Sequence, residues 1–489
     1  MVIGVDVGTT AVKAVLLDER GVVRRASEQA HPLISQQPGY AEEDPEAWWS
    51  GVLRALRALT EGLDPAQVEA LGVSGMVPAL ILQRGGRPLR PSIQQNDARA
   101  VEEWIELRSQ FGDDWLFQRA ATVWNTQILA PKLLWLKRHE PEAWEQADWI
   151  SGSYEHITHR LTGARYSEVN WALESGLFNP YRESWIEELA DYLDLDLEKL
   201  GPLRRPLDWV GMLRAEVARL TGLPQELPVI AGSADHIAAA LAAGLKEPGE
   251  VVLKLGGAGD VLYVTHQLTP IRELYIDYHD LPDRFVINGC MATSGSLLRW
   301  FRDHFRPQAS FALLDQEAED VPPGAEGLVA LPHFLGEKTP IHDPQARGIL
   351  VGLTLSHTPS HIYRALLESV AYAFRHHLEL LEERDQTIST VLVMDGGARS
   401  SLWRRILASA LGRPVAYVRG GERGSAYGVA LLAGVTAGSL TFDDLKREVV
   451  ELTEPEEAWR PVYEALYPIY RSTYLRLKDL FPRLRSAYA

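Results

Sequence analysis

Four stretches of the chain combine residue types that can handle phosphate groups, hydroxyls and protons. The first is Asp6-Val7-Gly8-Thr9-Thr10, with Lys13 just beyond it. A turn without a side chain at Gly8 lets backbone N–H groups come close to phosphate oxygens. Thr9 and Thr10 add hydroxyl donors, Lys13 adds a positive charge, and Asp6 is suited to holding a hydrated Mg2+. The second stretch is Gly232-Ser233-Ala234-Asp235-His236, which runs into the small apolar segment IAAALAA. An aspartate in that place is either a helix N-cap or a carboxylate with chemistry of its own. The third is Gly256-Gly257-Ala258-Gly259 between two apolar runs. The fourth is Asp395-Gly396-Gly397-Ala398-Arg399-Ser400. Each of these two reads as a turn open to a ligand or as a plain connection.

Such turns need elements to hold them. Val2 to Val5 reads as a buried strand and Ala11 to Leu17 as its hairpin partner, closed by a turn over 18–21. Asp44-Pro45 announces an amphipathic helix over 46–59. Strands are expected at 68–74 and 79–83, and residues 91–99 lead into a helix through Trp104. Further helices fall at 132–138, 153–161 and 185–193. This alternation is that of a layered α/β domain. Later, a strand at 229–231 precedes Asp235, a helix over 237–243 follows it, and residues 244–249 read as a hinge. Val251 to Thr265 is again strand, Gly-rich turn, strand. It repeats the shape of the first hairpin without its residues, which suggests an ancient duplication around a cleft. Beyond it come a helix over 291–303, a loop over 337–352 and a long helix over 360–384. A strand at 390–394, a helix over 422–435 and amphipathic helix from Glu454 complete the chain.

The 489 residues exceed what one core supports and predict two domains, 1–244 and 245–489. The formal charge of −17 argues against a nucleic-acid or anionic-membrane partner, since both need a basic footprint. It leaves room for an anionic substrate, because local donors and a cation outweigh a distant field. Cys290 is the single cysteine, which excludes an internal disulfide or a Cys-rich metal site. No stretch resembles a signal peptide or a bilayer-spanning run, so the cytoplasm is the expected compartment. No P-loop follows any strand, no G-x-G-x-x-G follows the first one, and no G-x-S-x-G elbow occurs.

Two longer segments carry a resemblance. GILVGLTLSHTPSHIYRALLE, Gly348 to Glu368, fits the C-terminal signature of the FGGY carbohydrate kinases, and KLLWLKRH, Lys132 to His139, fits the core of their N-terminal signature. With the turns above, the similarity runs from Val2 to about Gly438. The chain resembles that family, which holds glycerol kinase, xylulokinase and ribulokinase, and its pattern is nearest to the xylulokinase-like members. The resemblance implies a two-domain ribonuclease H-like fold of the actin/hexokinase type, with a cleft between the domains. It implies a sugar site and first phosphate hairpin in the N-terminal domain, and a nucleotide site with a helical cover in the C-terminal one. It implies ATP and Mg2+ as cofactors, Asp6 beside the metal, and Thr9, Thr10 and Lys13 at the nucleotide phosphates. Asp235 matches the catalytic base of the G-x-x-D motif. Gly256 and Gly257 match the second phosphate hairpin, with Gly257 where Thr is usual. Gly295 and Arg299 match positions near the nucleotide; Gly396, Gly397, Ala398 and Ser401 match the turn against adenine.

The sugar pocket departs from the pattern. Where xylulokinases read Gln-Met-His after Ser-Gly, this chain reads Met76-Val77-Pro78, and Pro78, in place of that His, has no N–H to donate. Their Trp-Asn-Asp-x-Arg reads Gln95-Asn96-Asp97-Ala98-Arg99. Met76, Val77, Pro78, Asn96, Asp97, Arg99 and His236 are therefore the candidate sugar contacts, with Trp124, Asn125 and Gln127 behind them. The bland alternative for Asp97 and Arg99 is a surface ion pair at a helix start. The expected activity is ATP-dependent phosphorylation of a ketopentose such as xylulose or ribulose. Another sugar, a polyol or a sugar acid is the alternative, as is an actin-like nucleotide-binding protein with no sugar substrate. The resemblance also admits a homodimer.

Overall fold

The N-terminal hairpin forms where the apolar pattern puts it. Val2–Val7 is buried along its whole length and pairs antiparallel with Ala11–Leu17, which pairs in turn with Val23–Ala30. On its other edge Val2–Val7 takes Ala70–Gly75 in parallel, and the sheet continues through Pro228–Ile230 to Trp209–Met212. Ser233–Ala234 also pairs in parallel with the end of Ala70–Gly75. Runs buried on both faces are what a parallel sheet covered by helices requires. Helix Pro45–Thr60, capped by the Asp44 carboxylate on the Glu46 N–H, sets Gly51 against Val12 on one face. Helix Gly424–Ala437 covers the other face, where Val15 and Val2 join its Val429 and Ala430. It lies flat because Gly4 is bare: a Cβ there would sit 1.9 Å from the Ala426 carbonyl oxygen.

The computed structural model describes residues 1–34, 39–419, 424–445 and 447–488. Contacts divide the chain into two units. The first holds Met1–Gly244, Ile276–Arg284 and Arg423–Lys446; the second holds Leu245–Tyr275, Phe285–Glu422 and Arg447–Ala489. A plain division into 1–244 and 245–489 therefore does not describe residues 276–284 and 423–446. The reason is burial: helix Gly424–Ala437 is buried over Ala426–Gly434 and needs a sheet face that the first unit supplies. Residues 422 and 423, with which that helix was expected to begin, lie outside the described residues.

The second unit repeats the first locally. Glu250–Leu255 pairs antiparallel with Gly259–Thr265, which pairs with Phe285–Met291; Thr390–Met394 joins Glu250–Leu255 in parallel, followed by Val415–Arg419 and Glu448–Thr453. A three-strand meander with a parallel strand on its outer edge is thus common to both sheets, as the repeated hairpin shape predicts. Pro359–Glu382 is the expected long helix and Arg460–Leu477 the main C-terminal one.

Several boundaries differ from expectation. Residues 92–93 pair with 42–43, and the helix after them starts only at Val101. The Asp97 carboxylate explains the delay, since it holds a turn by accepting from the Ala41 and Arg99 N–H groups. Trp185 pairs in a short hairpin with Phe178, so its helix starts at Glu187. The helix expected from 291 starts at Gly295, because Met291 still belongs to a strand. Ile349–Val351 is a strand inside the expected loop. Among the described residues, no helix is long and apolar enough to cross a membrane.

Candidate active site

Three strand ends of the first unit meet at one place. In register, Asp6 stands beside Ser74, Ser74 beside Ser233, and Gly75 beside Ala234. Asp6, Ser74-Gly75 and Asp235 thus sit side by side at the carboxyl ends of parallel strands, the end at which α/β sheets collect ligands. Asp6 is buried and accepts from the Ser74 hydroxyl at 3.0 Å. Burial, and next the Asp235 carboxylate, push its pKa up to about 7, against the pull of Ser74 and Lys13. Lys13 lies opposite Asp6 across the hairpin, with its side chain exposed. The Gly8 N–H closes the turn on the Ala11 carbonyl at 3.2 Å and leaves Thr9 and Thr10 exposed.

Asp235 is not an N-cap. The cap position is Ala234, no side chain caps the helix, and Asp235 opens it as the first helical residue. Its Oδ1 accepts from the His236 N–H at 2.7 Å, and the side chain remains 36% exposed. Asp235 takes one first-turn N–H of its helix, but its place beside a second, buried carboxylate is not something helix stability requires. Met76 to Pro78 continue directly from this corner. The Met76 N–H donates to the Val7 carbonyl and its own carbonyl accepts from Ser153 Oγ at 2.8 Å. Met76, Val77 and Pro78 are buried, and the Val77–Pro78 peptide is cis.

Asp97 and Arg99 have different company. Asp97 Oδ1 accepts from the Arg99 N–H and Nε; Oδ2 accepts from the Ala41 N–H at 2.6 Å and from Arg99 Nη2 at 2.7 Å. Arg99 also reaches Glu42 at 2.7 Å, and its guanidinium lies over the Tyr40 ring at 3.9 Å. The Asp97 and Arg99 side chains are 0% and 1% exposed. As placed, they present nothing to a ligand, and they are also not the surface ion pair of the bland alternative. Lys132, from the signature segment, is buried beside them and donates to the carbonyls of Gln94, Gln95 and Gln127. Trp124 donates to the Gly112 carbonyl, and the Asn125 side chain closes a turn on the Gln127 and Ile128 N–H groups. Asn96 is exposed.

The second unit gathers its own glycines. Gly256 and Gly257 form the turn between Glu250–Leu255 and Gly259–Thr265. Their carbonyls accept from the N–H groups of Ser294, Gly295 and Ser296, so the start of helix Gly295–Phe305 is docked on the turn. Arg299 is exposed and reaches over Gly257. Gly397 packs on the strand end: a Cβ there would meet the Leu255 carbonyl oxygen at 2.8 Å and Trp403 at 2.4 Å, whereas the space at Gly396 is open. Ala398 is buried, and its carbonyl accepts from Arg404; Ser401 is exposed at the head of helix Ser401–Leu411. The sequence candidates of this unit are thus neighbours around one turn, with backbone N–H groups partly committed to the protein.

Sequence reasoning missed Ser74, Glu174 and Asp277 in the first unit and the Lys254–Asp260 pair, 2.8 Å apart, in the second. Ser74 had a signal, a small polar residue before Gly at the end of a buried strand. Lys254 and Asp260 stand three residues either side of Gly257, which a hairpin reading could have paired. Asp277 had none, because it returns to the first unit from the second half of the chain.

Residues 1–242 match the model of the FGGY family of carbohydrate kinases, N-terminal domain, and residues 260–437 match that of the C-terminal domain. The xylulose kinase of Bacillus subtilis (strain 168) is 30% identical over 99% of both chains. That of Escherichia coli (strain K12) is 32% identical over 89% of this chain and 90% of its own. The crystal structure of xylulose kinase from Rhodospirillum rubrum is 39% identical, covers 98% of this chain and 99% of its own, and superposes with a TM-score of 0.92. The architecture is accordingly that of the actin/hexokinase-like ATPases. By both halves of its sequence and by its fold, the chain belongs to the FGGY family of carbohydrate kinases, phosphotransferases that move a phosphoryl group from ATP to an alcohol.

Proposed function

We propose that this chain phosphorylates a ketopentose, xylulose first, with Asp235 as general base. The observation that carries the reading is the corner of Asp6, Ser74-Gly75 and Asp235 at adjacent strand ends. The full-length likeness to proteins named xylulose kinase supports the choice of sugar. In this reading a sugar hydroxyl donates its proton to Asp235 as its oxygen takes the γ-phosphoryl group and ADP leaves. Asp235 can do so because its carboxylate is part-exposed and is not the N-cap of its helix. Such general-base assistance is worth ~10²–10⁴-fold. The remainder is in-line placement and charge neutralisation.

Asp6 fits a divalent cation. It is a buried carboxylate facing a second carboxylate, with Lys13 and the Ser74 hydroxyl opposing them. Mg2+ held there, with water as its other ligands, would neutralise phosphate charge. Within the first unit Thr9, Thr10 and Lys13 are the candidates for phosphate contacts; within the second unit, taken by itself, Gly256, Gly257, Gly295 and Arg299 are. Gly396, Gly397, Ala398 and Ser401 would face the adenine. Met76 and Val77 would form the wall of the sugar pocket, with Asn96 at its edge. Asp97 and Arg99 would shape that pocket from behind. Pro78, which donates no hydrogen bond, is the observation that keeps other ketoses, polyols and sugar acids in the assay.

The test is ADP release from Mg-ATP across a panel of ketopentoses, ketohexoses, polyols and sugar acids. Stimulation by xylulose well above the ATPase background, lost in Asp235→Asn, is the expected result. Stimulation by a different sugar alone would replace the substrate; retained turnover in Asp235→Asn would remove the base.

A further inference from the structure

His236 follows the proposed base directly, and three acidic side chains converge on its ring. Its Nε2 lies 3.2 Å from Asp277 Oδ2 and 3.9 Å from Glu174 Oε1; its Nδ1 lies 3.5 Å from Asp235 Oδ1. These acids come from three elements of the first unit: helix Val169–Glu174, segment Ile276–Arg284 and helix Asp235–Ala242. The convergence is built. Asn170 locks the returning segment in place, since its side-chain amide donates to the Tyr278 carbonyl at 3.0 Å and accepts from the Tyr278 N–H at 2.7 Å. That clamp fixes Asp277 next to Glu174 behind the imidazole. Asp277 is 1% exposed and Asp280, three residues on, is buried as well.

Three carboxylates around one imidazole favour its charged form. Burial disfavours the charged form, but Asp277, Asp235 and Glu174 together outweigh it and hold the pKa well above the ordinary histidine value. The same balance is felt from the other side. Burial and the neighbouring Asp277 raise Glu174 to about 8, and burial raises Asp280 to about 7, with His236 opposing both.

We infer that His236 is a positioning residue for the base: clamped from behind by Asp277 and Glu174, it turns Nδ1 to Asp235 Oδ1 and holds that carboxylate so that Oδ2 meets the sugar hydroxyl. One residue then holds that oxygen from two sides: Oδ1 accepts from the His236 backbone N–H at 2.7 Å, and the ring Nδ1 lies 3.5 Å from it. Among the described residues no hydrogen bond goes to Asp235 Oδ2. This inference rests on the reading of Asp235 as base, and it reassigns His236 from sugar contact to a group acting through Asp235.

The test is steady-state kinetics on the full-length enzyme with its stimulating sugar, for His236→Gln, Asp277→Asn and Asp277→Glu, with Asp235→Asn alongside. Gln keeps the size and a donor but not the charge. The expected result is a 10- to 100-fold fall in kcat for His236→Gln, with sugar KM within twofold. Asp277→Asn should show a smaller fall of the same kind, and Asp277→Glu should recover most of it. A rise in sugar KM with kcat unchanged would overturn the inference in favour of a direct sugar contact. No change in either constant would overturn it too. If Asp277→Glu is as slow as Asp277→Asn, the clamp is wrong. An active Asp235→Asn would instead sink the base assignment, which separates the two failures.

Discussion

Around Asp97 and around Asp235 the first unit buries the same kinds of side chain in different company. At Asp97 every carboxylate oxygen is taken: two guanidinium contacts and the Ala41 and Arg99 N–H groups satisfy it, and Arg99 goes on to Glu42. Lys132 next to it has its Nζ within hydrogen-bond distance of three carbonyls. At Asp235 negative charge is in surplus. Among the described residues Asp6 faces Asp235 and Lys13, Glu174 and Asp277 share His236 with Asp235, and burial first, then the neighbouring carboxylates, raise the pKa values of Asp6 and Glu174. Burying a charge is tolerated when it is paired and hydrogen-bonded. A surplus is tolerated only where something else, a cation or a proton in transit, completes it. The difference separates a structural network from a site with chemistry, although the sequence shows both as Asp near a basic residue.

Substitutions can break or sharpen that contrast. The largest effect is expected from Asp235→Asn, a fall in kcat of ~10²–10⁴-fold. Its urea-unfolding midpoint should stay close to that of the parent, since Asp235 is not an N-cap. A large loss of stability would erase the contrast. Arg99→Ala should do the reverse. Removing one partner of a buried pair costs about 3–5 kcal/mol, read by urea unfolding, while kcat of the folded fraction stays within a few-fold. Lys132→Met strands three carbonyls and should lose about 1–3 kcal/mol at neutral pH.

Lys132 also carries a pH signature. Burial lowers its pKa from 10.5 to about 7, with Asp97 opposing. Between these values the folded chain binds fewer protons than the unfolded one, so the lysine makes stability rise with pH across that window. The stability gap between parent and Lys132→Met should widen from pH 7 to pH 9, measured by paired unfolding curves. The smallest effect is expected from Ser74→Ala. It removes one hydrogen bond to Asp6, about 0.5–1.5 kcal/mol, and should raise the Mg2+ concentration needed for half-maximal rate. An unchanged Mg2+ requirement would place the cation away from Asp6.

The first hairpin, the capped helix after Asp44 and the long helix near 360 were legible because each rests on local pattern: a buried run, a cap with Pro behind it, a sustained helical period. The short strands at 92–93 and 184–185 were not, because pairing with a distant partner decides them. In the same way, the sequence showed that residues 76–78 depart from the xylulokinase pattern, and the strand register then set them beside Val7. It offered Asp97 and Arg99 as sugar contacts because residue type carries no information about saturation.

What the sequence determined by itself is the family, the two hairpins, the strand-and-helix order and the presence of an acid at Asp6 and Asp235. These follow from short-range pattern and from motifs whose residues are contiguous. What only the tertiary structure decided is which acids share a charge balance. Asp277 reaches His236 after a separation of 41 residues, and Arg99 reaches Glu42 across 57. Electrostatic energy depends on distance in space and on burial, and neither quantity is written in the order of the residues.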